Sequence, residues 1–322
     1  MKGETGMENV VITGKKKWYN KLLLEMKKNY LLYLMILPGI LYIIIFKYIP
    51  MYGLTIAFKD YKVTSSFSSA EWIGFDNFID LFKRNAFQRA FYNNIIISLS
   101  KLIFGFPTPI ILALLINEVK RSKLKKLVQT AVILPNFISW IVIYGLMTAI
   151  FSPNTGVMSS IASLIGYHGE IANVLTNKDT FREVITISYI WQAAGIGTIV
   201  YLASISGIDA EQYEAAALDG AGRWRQMWHI TLANLKPTII TLLIFRVGGI
   251  MNAGFDQIFA ISNDIVISKA DIISTYVFRL GLEQRKFGIA AAAGLLESVI
   301  GLVLVLIMNQ VAKVIDRDSA II

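Results

Sequence analysis

Residues 208–222 read Ile-Asp-Ala-Glu-Gln-Tyr-Glu-Ala-Ala-Ala-Leu-Asp-Gly-Ala-Gly, and their types and spacing suit a docking element better than a catalytic one. Asp209 is placed to cap a helix, and Gln212, three residues on, makes the start resemble a capping box. The alanines give a short helix with a smooth face on which Glu214 stands as an isolated carboxylate. Gly220 and Gly222 end it, because glycine takes the left-handed C′ conformation without strain. A second amphipathic piece runs from Arg223 to about Leu235 and carries Trp224, Met227, Trp228, Ile230 and Leu232, after which Pro237 is expected to mark the entry to the next apolar segment. A loop that only joined two elements would be shorter. The plainer alternative is an amphipathic helix lying on a membrane with no partner.

The other candidates are polar groups inside apolar runs, where charge is costly and therefore functional or paired. They are Lys101, Arg246, Asp256 and Glu297. Gly248, Asn252 and Asp256 share an i, i+4 spacing that puts them on one helix face. Trp191 and Gln192 sit together just before Gly195. Lys101 and Glu297 could form a structural ion pair, and Arg246 reads as a snorkelling or structural residue near the cytoplasmic half. The chain has no cysteine and two histidines, His168 and His229, which excludes thiol chemistry and leaves little for a zinc site or a histidine base. No GxxxxGK[ST] phosphate loop is present.

Long apolar elements must position these groups. Of 322 residues, 55% are hydrophobic and 16% charged, and the mean hydropathy is +0.57. A soluble domain carries roughly a quarter charged residues. Apolar runs close to the ~20 residues that span a bilayer recur along the chain. Six are expected, at about 30–48, 93–116, 127–151, 184–205, 238–261 and 287–311. Lipid offers the backbone no partners, so the expectation is an all-α integral membrane protein with six transmembrane helices. Alternating ten-residue segments of an outer-membrane barrel are not visible. The first run is too long for a signal-peptide core and lacks a small-residue cleavage site.

The net charge of +9 lies beside the apolar blocks, which argues against nucleic acid and for cytoplasmic loops. Residues 1–29 hold seven lysines, the loop at 118–127 five Lys/Arg and the segment 206–237 three, whereas 49–90 balances five basic with four acidic residues. With an even number of spans, both termini are expected in the cytoplasm. The expected organisation is a basic cytoplasmic segment (1–29), a six-span domain (30–312) and a short cytoplasmic tail (313–322).

Glu214-Ala215-Ala216, then Gly220, then Ile230 and Leu232 have the spacing of the EAA loop of binding-protein-dependent importer permeases. The chain resembles that family, although Leu232-Ala233 stands where the family pattern has Leu-Pro. Phe58-Lys59-Asp60-Tyr61, Trp72-Ile73-Gly74-Phe75-Asp76-Asn77-Phe78, Leu134-Pro135 and Phe151-Ser152-Pro153-Asn154-Thr155-Gly156 look like its maltose and polysaccharide branch. The resemblance implies a type I ABC importer permease in the cell membrane, not itself an enzyme. Glu214, Ala215, Ala216 and Gly220 would couple it to a cytoplasmic ABC ATPase dimer, which would bind the ATP and magnesium. This chain would hold no cofactor or metal of its own. It also implies a second homologous permease, an extracellular solute-binding protein and an oligosaccharide substrate. Trp191, Gln192, Asn252 and Asp256 would lie along the sugar path, with aromatic faces for rings and amides or carboxylates for hydroxyls; interhelical hydrogen bonding is the alternative for each. The aromatic loop 51–90 would meet the binding protein or pack on the chain's own helix ends. A stand-alone secondary transporter or channel would explain the spans but not the hairpin, and no convincing internal repeat is seen.

Overall fold

The computed structural model describes residues 27–64, 66–167 and 173–315. Residues 1–26 with Lys15, Lys16, Lys17 and Lys21, residues 168–172 with His168, and residues 316–322 with Arg317 lie outside them. The chain divides into two units, residues 1–55 and 56–322.

The first unit supplies most of α1, Tyr30–Phe58. Pro38 sits inside this helix, a π turn occupies Ile44–Tyr48, and the last stretch, Tyr52–Phe58, is a 3₁₀ helix. Apolar side chains cover every face, as expected of a lipid-facing span rather than an amphipathic surface helix.

Among the described residues the regular elements of the second unit are all helices, apart from one isolated bridge between Lys59 and Trp72. Its elements are α2 Asp76–Lys83, α3 Asn85–Asn117, α4 Ser122–Phe137, α5 Trp140–Phe151, α6 Val157–Leu164, α7 Phe181–Ser206, α8 Ala210–Leu218, α9 Arg223–Gly248, α10 Phe255–Ile261, α11 Ile267–Ala270, α12 Ile273–Phe278 and α13 Phe287–Val314. Counting α1, five helices are long and apolar enough to cross a membrane, and six if α4 and α5 are one bent span.

Two expectations need correction. The third run, expected as one span at 127–151, turns by 105° between α4 and α5. Pro135 tightens the end of α4 into a 3₁₀ turn, Ile138 is extended, and Ser139 caps α5 by accepting from the Val142 N–H at 3.5 Å. The fifth span, expected at 238–261, instead begins at Arg223 and ends at Gly248, with Pro237 inside it. Residues 249–254 are non-helical, and α10 is a separate helix. The expected face of Gly248, Asn252 and Asp256 therefore does not form.

Close packing around α7 depends on glycine. A Cβ on Gly195 would run into the Val132 and Ile133 backbone, and one on Gly197 into the Pro109 ring. Small residues at such positions let helices approach where lipid provides no hydrophobic drive. Ile97, Ile143, Phe181, Ile185 and Ile258 centre one apolar core; Leu81, Phe87, Ile273 and Ala293 centre a second, and Ala113, Tyr201 and Leu235 a third beside the hairpin.

Candidate functional site

Two structures carry the polar chemistry, and α9 joins them. At its start is the hairpin. Asp209 caps α8, though it accepts from the Glu211 N–H at 3.0 Å rather than making the reciprocal box with Gln212. Gln212 accepts instead from Asn234 Nδ2 on α9 at 3.0 Å. The C-terminus is a Schellman motif: Gly220 has φ 77°, its N–H reaches the Ala217 carbonyl, and the Ala221 N–H reaches that of Ala216. The hydroxyls of Tyr213 and Thr231 lie 3.0 Å apart, giving a second tie between α8 and α9. Glu214 and Ala215 are exposed, and Leu218 at the tip is 90% exposed. Arg223 reaches Glu118 at the end of α3 at 3.5 Å, which places the hairpin beside the basic loop 118–127.

At the far end of α9 is the break. Non-helical backbone at membrane depth survives only where protein satisfies its polar groups, and three residues of the unit do this. Asn94 Nδ2 donates to the Met251 carbonyl at 2.8 Å; Lys101 Nζ donates to the Ala253 carbonyl at 2.6 Å and to Gln257 Oε1 at 2.5 Å. Gln257 Nε2 in turn donates to the Ile185 carbonyl and Ser188 Oγ on α7, at 2.7 and 2.9 Å. Asn252 Oδ1 accepts from the Gly254 N–H at 3.2 Å, and Gly254 has φ 95°, a conformation that favours glycine.

This network extends toward the end of the unit opposite the hairpin. Arg182 donates to Asn93 Oδ1 at 2.6 Å, and Asn93 donates to the Asp271 carbonyl at 3.0 Å. The Asp271 carboxylate is fully buried, with Arg279 on both oxygens at 2.9 and 2.5 Å and Thr275 on one at 2.8 Å. The hydrogen bonds to Asp271 hold the Arg279 guanidinium above its ordinary pKa, while burial raises that of the Tyr276 hydroxyl.

Beside the break, Lys101 Nζ and the Arg246 guanidinium both stand over the Tyr189 ring, 4.9 and 4.8 Å from its centroid. A cavity of about 330 Å³ opens here, lined by Pro109, Tyr189, Gly197, Tyr201, Phe245 and Arg246. A smaller one touches Ser98, Lys101, Arg246 and Asn252. Two sequence readings change accordingly. Lys101 binds Ala253 and Gln257, and no ion pair joins it to Glu297 among the described residues. Arg246 lies near the end of α9 away from the hairpin with its guanidinium over the Tyr189 ring, which goes against the snorkelling reading and leaves the structural one.

Of the proposed path residues, Asn252 and Asp256 are exposed on either side of Gly254. Trp191 is 49% exposed, and Gln192 is half-buried with its carbonyl accepting from Asn136 at 3.4 Å. No hydrogen bond joins Trp191 or Gln192 to Asn252 or Asp256 among the described residues. The sequence reading did not single out Tyr189, Asn93, Asn94 or Gln257. A usable signal was the spacing of Asn94, Ser98 and Lys101, polar residues at i, i+4 and i+7 along one face of an apolar helix.

Residues 85–319 match the family described as "Binding-protein-dependent transport system inner membrane component". The chain is 42% identical over 294 residues to Protein LplB of Bacillus subtilis (strain 168), covering 91% of this chain and 92% of that protein. It is 40% identical over 305 residues to the polygalacturonan/rhamnogalacturonan transport system permease protein YteP of the same strain, covering 95% and 94%. A solved bacterial alginate ABC transporter, in complex with an alginate pentasaccharide-bound periplasmic protein, contains a chain 43% identical to this one. The two superpose with a TM-score of 0.84 over 92% of this chain and 98% of that one. The chain thus belongs to the family of binding-protein-dependent transport system inner membrane components, a multi-pass membrane protein with the permease fold of an ABC importer.

Proposed function

We propose that this chain is one half of the translocation path of a type I ABC importer for oligosaccharides, paired with a second homologous permease. Six spans carry both termini in the cytoplasm, with 1–29 and 313–322 as cytoplasmic ends. A cytoplasmic ABC ATPase dimer grips Glu214, Ala215, Ala216 and Gly220, and binds the ATP and magnesium; an extracellular binding protein delivers the saccharide.

The observation that carries this reading is the continuity of α9. The hairpin is locked to it by Gln212–Asn234 and Tyr213–Thr231, and the helix runs unbroken past Pro237 to Gly248. At ~1.5 Å per residue it is a lever of about 39 Å. Closure of the ATPase dimer would move the knob as a rigid body and deliver the displacement to the break at 249–254. There Tyr189, Arg246, Asn252 and Asp256 would meet the solute, and Trp191 and Gln192 would flank it on α7. The Arg223–Glu118 pair supports placing the hairpin and the basic loop on one side of the membrane.

Glu214→Lys in the full complex is the test. Loss of uptake with normal membrane insertion is expected; normal uptake would remove the coupling role. Purification of the chain without any ATPase would favour a stand-alone transporter.

A further inference from the structure

We propose that the groove between the end of α3 and the start of α9 binds an anionic phospholipid of the cytoplasmic leaflet, an acyl chain on its apolar wall and the headgroup phosphate among the cations around it. This rests on the import reading above, which puts the hairpin in the cytoplasm. The groove has a volume of about 250 Å³ and is lined by Leu115, Glu118, Arg223, Trp224 and Met227. Its two charged residues close on each other at 3.5 Å, so the rest of the lining is apolar. Leu115 is 54% exposed and Trp224 71%, and Trp228, four residues on, is exposed as well. Tryptophans at the end of an apolar span sit at headgroup depth, the ring body against acyl chains and the indole N–H toward water.

The surroundings select the sign of the headgroup. Residues 118–127 hold Lys120, Arg121, Lys123, Lys125 and Lys126 against a single carboxylate, Glu118, and Arg223 engages that one. Arg225 adds a further cation in the first turn of α9. Lys120, Arg121, Lys123 and Arg225 are exposed, and none of them forms an ion pair among the described residues. The hairpin's own acids, Asp209, Glu211, Glu214 and Asp219, belong to α8 and its two ends, and none lines the groove. A basic pocket between helices on the cytoplasmic side has the chemistry to take a phosphate headgroup, and the guanidinium forks match its oxygens. The ATPase is the rival occupant, but Glu214, Ala215, Ala216 and Gly220, which meet it in the reading above, are absent from the lining. A lipid seated here ties the loop after α3 to the base of α9, alongside the Arg223–Glu118 pair.

The test uses the whole complex, this chain with its second permease and ATPase dimer, purified in mild detergent as wild type, Leu115→Trp and the double variant Lys120→Gln, Arg121→Gln. Each is offered phosphatidylglycerol, phosphatidylcholine or an equal mixture, and lipid retained on this chain is read by native mass spectrometry. Wild type is expected to retain phosphatidylglycerol over phosphatidylcholine. Leu115→Trp fills the groove and should lose the adduct. The double variant should weaken retention roughly 25-fold, about five-fold for each cation removed. In the delipidated complex the thiol of Trp224→Cys should react with a maleimide and become protected when phosphatidylglycerol is added. Equal retention of the two lipids overturns the inference, as does an adduct that survives both variants. A Trp224→Cys thiol already protected in the delipidated complex assigns the groove to a protein partner and overturns it too. If Leu115→Trp fails to assemble, the wild-type lipid preference and the double variant decide. Those results leave the import reading standing; labelling of Trp224→Cys from outside intact cells by an impermeant maleimide would instead remove that reading.

Discussion

Replacing Lys101 by methionine isolates what holds the broken helix in place. Methionine keeps the length of the stem but removes the three donors, leaving the Ala253 carbonyl and Gln257 Oε1 without Lys101. A buried acceptor stripped of its partner costs about 1–3 kcal/mol, so two cost about 2–6. Part of this is offset because a desolvated ammonium is also removed, and a net loss of about 2–4 kcal/mol is expected. At roughly 2–4 °C per kcal/mol for a chain of this size, the melting temperature of the detergent-solubilised protein should fall by about 5–15 °C. Fluorescence-detected thermal denaturation measures this directly. The double variant Lys101→Met, Gln257→Leu should be less destabilised than the two single losses added together, because each single change strands the other's partner. Unchanged melting in Lys101→Met, or strict additivity in the double variant, would refute the cross-brace.

The hairpin gives further expectations. Gly220→Val places a β-branched residue at φ 77°, should cost about 1–2 kcal/mol, and should lower uptake more than it lowers membrane abundance. The pair Tyr213→Phe with Asn234→Leu removes both ties between α8 and α9; transport-coupled ATPase stimulation should drop while basal ATPase activity of the complex persists. Arg279→Gln leaves the buried Asp271 carboxylate short of its partner, a loss of about 3–5 kcal/mol readable as a lower melting temperature. Because the guanidinium pKa is raised by its hydrogen bonds to Asp271, the pair's contribution is fully present below the ordinary arginine pKa and is lost as pH rises from there through the raised value. A melting curve that lost it between pH 6 and 9 would contradict this.

Composition and run length made the apolar helices legible, and Asp209, the alanines and Gly220 made α8 legible, because those signals are local. Pro237 misled for a physical reason: in water a proline inside a helix argues for a boundary, but in a membrane neighbouring helices and side chains re-satisfy the freed groups. The end of α9 was missed because Gly248-Gly249 and Asn252-Ala253-Gly254 lie inside an apolar stretch whose hydropathy continues into α10. Lys101 was read correctly as a residue needing a partner. Its actual partners, a carbonyl and an amide more than 150 residues away, carry no charge and leave no local mark. Arg246 and Tyr189 met for the same reason, through packing of α7 against α9.

The side of the membrane on which the hairpin lies tests the account most directly. The chain has no cysteine, so Leu218→Cys introduces a single thiol at a tip that is 90% exposed. In intact cells a membrane-impermeant maleimide should leave it unlabelled. In inverted vesicles it should react, and a short bifunctional reagent should link it to a copurifying ATPase. Labelling from outside intact cells would contradict the assignment of this chain as an ATP-driven importer permease.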